Sequence, residues 1–287
     1  MRKGDCFCGR PQKENGNCPV HGEDELPVQC VGPWAKEKHN YLTRYIEATA
    51  GPRSKFVLSS PEHPRPGGAA FIDLFAGPGR SRIDKTGEFI NGSPLIAAEH
   101  SHVPFTKLIY CELDEENVHA LSSRTRKYGD RVTIISGDCI DNIDRVVSAV
   151  PEHGLNFALV DPFGPKGLRW RVLQKLGQLK RMDFLIHFPT NSIKRNFHNP
   201  IDIDAIVGTS DWRIEIRDAQ HVTGLFEYLR KSLIGIGYSD ENVRSLAIKN
   251  DNNAILYHLI YATKDKLGNK IWESIAKTDA RGQRSLF

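Results

Sequence analysis

The residues best suited to chemistry stand in two groups along a chain of 287 residues. The first lies at the N-terminus, where Cys6, Cys8, Cys18 and Cys30 fall within thirty residues and His21 stands among them. Cys6-x-Cys8-x9-Cys18-x2-His21 offers three thiolates and an imidazole, the donor set of a closed tetrahedral zinc site. Cys30 is the alternative to His21 as fourth ligand. With every position filled by protein, such a zinc is structural. Clustered thiols in a chain of this length, with no secretory leader, point to metal rather than to a disulfide scaffold. Cys111 and Cys139 lie far downstream in apolar runs and read as buried small side chains.

The second group is acidic. Asp73, Glu112, Asp138 and Asp161 each fall at or near the end of a short, almost continuously apolar run: AFIDLF (70–75), KLIYCEL (107–113), VTIISGD (132–138) and FALVDPF (157–163). A fifth run, MDFLIHFP (182–189), places His187 inside a strand. Such runs mark strands buried on both faces. In an open parallel sheet a ligand binds beyond the carboxyl ends of the strands, which is where these acids fall. The first run leads into Asp73-Leu74-Phe75-Ala76-Gly77-Pro78-Gly79-Arg80, whose two glycines let the backbone turn tightly and approach a ligand. The third glycine of the dinucleotide fingerprint is missing, and no Lys-Ser/Thr of a P-loop follows. A carboxylate at Glu112 suits a pair of ribose hydroxyls, and one at Asp138 suits an exocyclic amine.

Helical patterns separate the runs: SPLIAAEH, ENVHALSSRTRKY and WRVLQKLGQLK. Alternation of this kind predicts right-handed crossovers and a parallel sheet. After an amphipathic helix at 221–237, VRSLAIKND and AILYHLIYAT follow with only a short polar loop between them, which predicts a terminal antiparallel hairpin. The expectation is a Rossmann-like α/β fold with a seven-stranded class I methyltransferase sheet. Residues 1–30 form a loop-rich module, and 31–68 a helical lead-in (Trp34 to Ala50, stopped by Gly51-Pro52) with a Pro/Gly-rich connector. The α/β domain covers 69–287.

FIDLFAGPGR, the Glu112 strand end, GD at 137–138 and DPFG at 161–164 resemble the motifs of S-adenosylmethionine (SAM)-dependent methyltransferases. More closely, VGPWAKEKHNYL, NGSPLIAAE, VDPFG, IHFPTN and GNKIWESI…GQRSLF resemble the three-Cys-motif partner (TcmP) family, from about residue 31 to the C-terminus. The resemblance implies SAM bound by Asp73, Phe75, Ala76, Gly77, Gly79, Glu112, Asp138 and Cys139. It also implies association with a three-Cys-motif, radical-SAM-like protein. Asp161-Pro162-Phe163-Gly164 is similar to the signature of amino-methyltransferases: the acid and a backbone carbonyl hold the target amine, and the aromatic ring stacks on the base. One departure is SRIDKTGEFINGSP (81–94), which separates the glycine loop from its helix and is expected either to cover the cofactor or to deform its pocket.

Lys166, Arg169, Arg171, Lys194, Arg195 and His198 follow the fourth and fifth runs, a basic rim suited to phosphates. Together these features predict methyl transfer to an amino nitrogen of a nucleic-acid base, RNA before DNA. The alternative is a non-catalytic, SAM-binding adaptor for the radical-SAM-like partner. A net charge of +4 permits a polyanionic substrate, and 39% hydrophobic with 26% charged residues excludes a disordered or fibrous chain. No run reaches the roughly 20 apolar residues of a membrane helix, so the expected location is the cytoplasm with no membrane partner.

Overall fold

The computed structural model describes residues 13–58, 67–99, 102–198, 202–249 and 254–278. Five parallel strands carry the five apolar runs: β2 (Ala69–Asp73), β5 (Lys107–Glu112), β6 (Val132–Ser136), β7 (Leu155–Val160) and β8 (Met182–Phe188). The hairpin of β9 (Val243–Lys249) and β10 (Ile255–Ala262) joins antiparallel beside β8. The order is β6-β5-β2-β7-β8-β10-β9, the seven-stranded class I methyltransferase arrangement expected from the terminal hairpin. β2 lies at the switch point between β5 and β7 and is buried at all five positions.

Alternate residues of each strand supply two cores. Ala70, Ile72, Ala158, Val160, Phe184 and Ile186 face α5 (Ile143–Ala149), α6 (Trp170–Gly177), α8 (Ile203–Val207) and α10 (Leu225–Gly235). Phe71, Phe157, Leu159, Leu185 and Tyr261 face α1 (Ala35–Ala48), α3 (Ser93–Glu99), α4 (Glu115–Thr125) and α11 (Lys266–Ala276). Two short helices, α7 (Thr190–Arg195) and α9 (Trp212–Glu215), fill the connection after β8. None of the described helices is long and apolar enough to cross a membrane.

Two expectations change. Gly51-Pro52 does not stop the chain's helical run. The first helix ends at Ala48, and after the single capping residue Thr49, α2 (Ala50–Val57) begins with Pro52 in its first turn, where no amide donor is needed. The 81–94 insertion is regular structure instead of an irregular loop. It forms β3 (Arg80–Ile83) and β4 (Phe89–Asn91), and β3 pairs in parallel with β1 (Gln29–Val31) of the N-terminal segment. A second, three-stranded sheet therefore docks the cysteine-bearing segment onto the main domain, across the boundary expected at residue 30.

α1 is held firmly. The Tyr45 and Tyr261 hydroxyls both donate to Asp183 Oδ2 beneath the helix. Lys38 lies two turns before Tyr45 on the same face, so this anchorage aims Lys38 at the sheet's carboxyl edge.

Candidate cofactor and active site

A cavity of about 730 Å³ opens at the carboxyl ends of β2, β5, β6 and β7. Phe75 and Gly77 supply one wall, Glu112 to Asp114 and Asn117 the next, Gly137 to Ile140 the third, and Asp161 with Phe163 to Gly167 the fourth. Gly77 (φ +61°) and Gly79 (φ +85°) adopt the left-handed backbone that the tight turn requires. A side chain at Gly79 would meet Leu121 of α4 at 3.2 Å.

Asp73 is wholly buried. Its Oδ1 accepts from the Phe75 amide at 3.2 Å, and Oδ2 has no hydrogen-bond partner. Burial pushes its carboxyl up to about 7, against hydrogen bonding that lowers it. Ser93 also hydrogen-bonds this carboxyl; a buried carboxylate at the start of the glycine loop would suit the ammonium of an amino-acid ligand. Glu112 carries two backbone donors: Gly77 N to Oε2 at 2.7 Å and Asp114 N to Oε1 at 2.9 Å. Oε2, with a single donor, keeps acceptor capacity for a hydroxyl. Asp138 Oδ1 accepts from Ile140 N at 2.7 Å at the opposite end of the cavity. Cys139 lines the cavity, and burial pushes its thiol well above the usual range, as burial pushes Cys111 up to about 12. Burial thus disfavours the thiolate form of both. Ala76 is buried beneath the loop.

Asp161 has two partners that its sequence neighbourhood does not announce. Lys38 of α1 forms an ion pair with Oδ2, and His187 Nδ1 lies 2.9 Å from Oδ1. Burial alone would raise this carboxyl; Lys38 and His187 outweigh it and hold Asp161 well below the usual carboxylate range. The Tyr257 ring packs edge-on against His187 at 4.2 Å. A second, smaller cavity of about 40 Å³ lies on the α1 side, sharing Gln29, Phe75 and Asp161 with the first. It is lined by Lys38 and by His39, which burial pushes down to about 3 and so keeps neutral.

Pro162 is buried, whereas Phe163 is 72% exposed at the cavity rim with its ring against Gly16. Gly164 is extended backbone. Lys166 lines the cavity. Arg169 lies 3.7 Å from Asp202 in an ion pair, so it is less open to phosphate than expected. Lys194 and Arg195 are exposed in the last turn of α7, followed by Asn196 on the cavity wall.

Of the expected metal ligands, Cys6 and Cys8 lie outside the described residues. Cys18 is wholly buried, packed with Val28 and Cys30, and Arg82 donates to its sulfur at 3.7 Å. His21 is exposed. The antiparallel bridge between Asn17 and Gln29 puts Cys18 and Cys30 on one face of the ladder. Among the described residues, no group of three or more His, Cys, Asp or Glu is placed to hold a metal ion.

No family model matches the chain, and no curated protein matches it. Among solved structures, the chain is similar to cofactor-bound Rv0187 from MTB, with 10% identity over 84% of this chain and 85% of that one and a TM-score of 0.45. M. jannaschii TYW2 in complex with AdoMet gives 12% identity, 88% and 87% coverage and a TM-score of 0.41. The O-methyltransferase TomG from Streptomyces achromogenes, in complex with SAM, gives 12%, 78% and 90%, and 0.41. At these scores the likenesses add nothing to what the strand order says.

Proposed function

We propose that this protein is a SAM-dependent methyltransferase acting on an amino nitrogen of a nucleic-acid base, RNA before DNA. One observation carries the reading: Glu112 and Asp138 close two neighbouring parallel strands around one cavity whose wall includes the glycine loop, and Asp73, wholly buried at the end of the next strand, starts that loop. On this reading Asp73 Oδ2 accepts from the ammonium, Glu112 from the ribose hydroxyls and Asp138 from the adenine amine. When bound, SAM supplies an electrophilic methyl group on a sulfonium.

Asp161, kept ionised by Lys38 and His187, and the Pro162 carbonyl then hold the target amine, with Phe163 against its ring. Accepting hydrogen bonds return electron density to a nitrogen whose lone pair is otherwise conjugated with the base. Alignment supplies most of the catalysis, since no covalent enzyme intermediate is needed. Lys166, Lys194 and Arg195 meet phosphates. A base in a duplex must first flip out, so a single-stranded or loop target is easier.

A second reading is favoured by the Lys38 ion pair, which takes the Asp161 oxygen that an amine would use. On that reading the chain is a SAM-binding, non-catalytic subunit of a three-Cys-motif radical-SAM-like protein, in keeping with its TcmP resemblance. Incubation of tritiated SAM with total RNA, DNA and protein, with and without that partner, separates the two. Labelled RNA that disappears with Asp161→Asn supports the enzyme. Label on protein or a metabolite alone contradicts the nucleic-acid assignment, and no label on any acceptor favours the adaptor.

The N-terminal segment carries, on the same reading, one structural zinc held by Cys6, Cys8, Cys18 and a fourth ligand. Cys30, beside Cys18, suits that position better than exposed His21. Elemental analysis is expected to find one zinc per chain; less than half a zinc after gentle purification contradicts it.

A further inference from the structure

The sheet does not make the whole wall of the large cavity. Glu14, Asn15 and Gln29 of the N-terminal segment line it too. Asn17, between them, is wholly buried and donates through Nδ2 to Asn117 Oδ1 at 2.7 Å. The Asn117 Nδ2 reaches Glu112 Oε1 at 3.4 Å, and Glu112 Oε2 takes the Gly77 amide at 2.7 Å. A chain of hydrogen bonds thus runs from the N-terminal segment to the glycine loop through the carboxylate at the end of β5. The segment is fastened beside it. Asn15 Nδ2 donates to Asp114 Oδ2 at 3.1 Å, and Arg124 forks onto Asp24 while also donating to the Pro27 and Pro78 carbonyls.

We propose that the N-terminal segment is a built part of the cofactor site, and that Asn17 is a positioning residue that fixes Glu112 through Asn117. This rests on the reading of the cavity as the SAM site. The physical reason is the asymmetry of an amide. Its oxygen only accepts and its nitrogen only donates. With Oδ1 of Asn117 held by Asn17, Nδ2 must face Glu112 and support the carboxylate. Without the Asn17 donor, Asn117 is free to turn its oxygen toward Glu112, where two acceptors repel. Asn17 Oδ1 has no hydrogen-bond partner, so only the donor side of this side-chain amide is used.

The test is calorimetric titration of S-adenosylhomocysteine into the full chain. Asn17→Ala is expected to weaken binding about 5- to 10-fold, the worth of roughly one hydrogen bond. Asn17→Asp, isosteric but without the donor, is expected to weaken it further. In a Glu112→Ala background Asn17→Ala is expected to cost nothing more, because both changes act on one group. Lys13→Ala removes only the exposed pair with Glu116 and is expected to leave affinity unchanged. Thermal melts identify any variant that fails to fold; should Asn17→Ala do so, Asn17→Asp carries the comparison.

Unchanged affinity in the folded Asn17 variant overturns the inference. So does a loss that is undiminished in the Glu112→Ala background, which is what a merely structural role would give. A wild-type protein that takes no S-adenosylhomocysteine overturns the reading of the cavity itself, a different and recognisable failure.

Discussion

The ends of β5 and β7 both present a carboxylate to the same cavity, and they are held in different ways. Glu112 takes neutral donors, the backbone amides of Gly77 and Asp114 and the side-chain amide of Asn117. Asp161 takes side-chain partners: the Lys38 ammonium, which lies 123 residues away in sequence, and the His187 ring on the neighbouring strand. Neutral backbone donors orient a carboxylate and leave its acceptor capacity for a ligand. A lysine neutralises it, and in exchange keeps it ionised over the whole neutral range. The β5 end is therefore poised to accept from a ligand, whereas the β7 end is a charged cluster whose carboxylate is already paired.

The largest expected effect lies at β7. Asp161→Ala leaves the Lys38 ammonium without its counter-charge and the His187 ring without its neighbour. Removing one partner of a buried pair costs about 3–5 kcal/mol, and because the side chain is 18% exposed the expected loss here is nearer about 2–4 kcal/mol in urea unfolding. Lys38→Met combined with Asp161→Asn should cost less than the sum of the single changes. Additive losses would mean that the two groups do not interact in solution.

At β5 the expected effect falls on ligand affinity instead of stability. Glu112→Ala should weaken S-adenosylhomocysteine by about 1.5–3 kcal/mol, the worth of a charge-assisted hydrogen bond, and leave the urea midpoint nearly unchanged. A large stability loss with intact affinity would reverse the comparison.

Asp73, between them, supplies a smaller effect with a sign that pH reveals. Its carboxyl is raised from 3.8 to about 7 in the folded protein. The folded state thus prefers the protonated acid: its stabilising share is complete below pH 3.8 and is lost as pH rises through about 7. Binding an ammonium needs the opposite form, so S-adenosylhomocysteine affinity should rise with pH from 6 to 8, by up to about tenfold per unit below the pKa. Asp73→Asn should flatten that slope. Asp161, held well below the usual range, contributes no slope near neutrality, so a pH dependence surviving Asp73→Asn points elsewhere. The smallest expected effect is at the rim. Lys194→Glu with Arg195→Glu should weaken RNA binding and reduce its dependence on salt by about two phosphate contacts.

Much of this was legible in the sequence because it is local. Continuous apolar runs marked β2, β5, β6, β7 and β8, and the acids at their ends fell on one edge because parallel strands share a direction. The small sheet was missed. Its signal was present in Arg80-Ser81-Arg82-Ile83 and Phe89-Ile90 around the turn at Thr86-Gly87, a hairpin pattern overshadowed by expecting the insertion to act on the pocket. Lys38 and His187 were out of reach for another reason. One sits on an amphipathic helix where a lysine is ordinary, and the other in a strand where nothing local names Asp161 as its neighbour. Such contacts depend on how α1 crosses the sheet, and periodicity does not encode that. The Asn17–Asn117 pair is of the same kind.

The central claim is that the cavity at the switch point is a SAM site, and ligand choice tests it most directly. Calorimetry of the wild-type chain against SAM, S-adenosylhomocysteine, NAD and ATP should give one site per chain for the first two and no heat for the others. Binding of NAD or ATP, with SAM and S-adenosylhomocysteine silent, would contradict it.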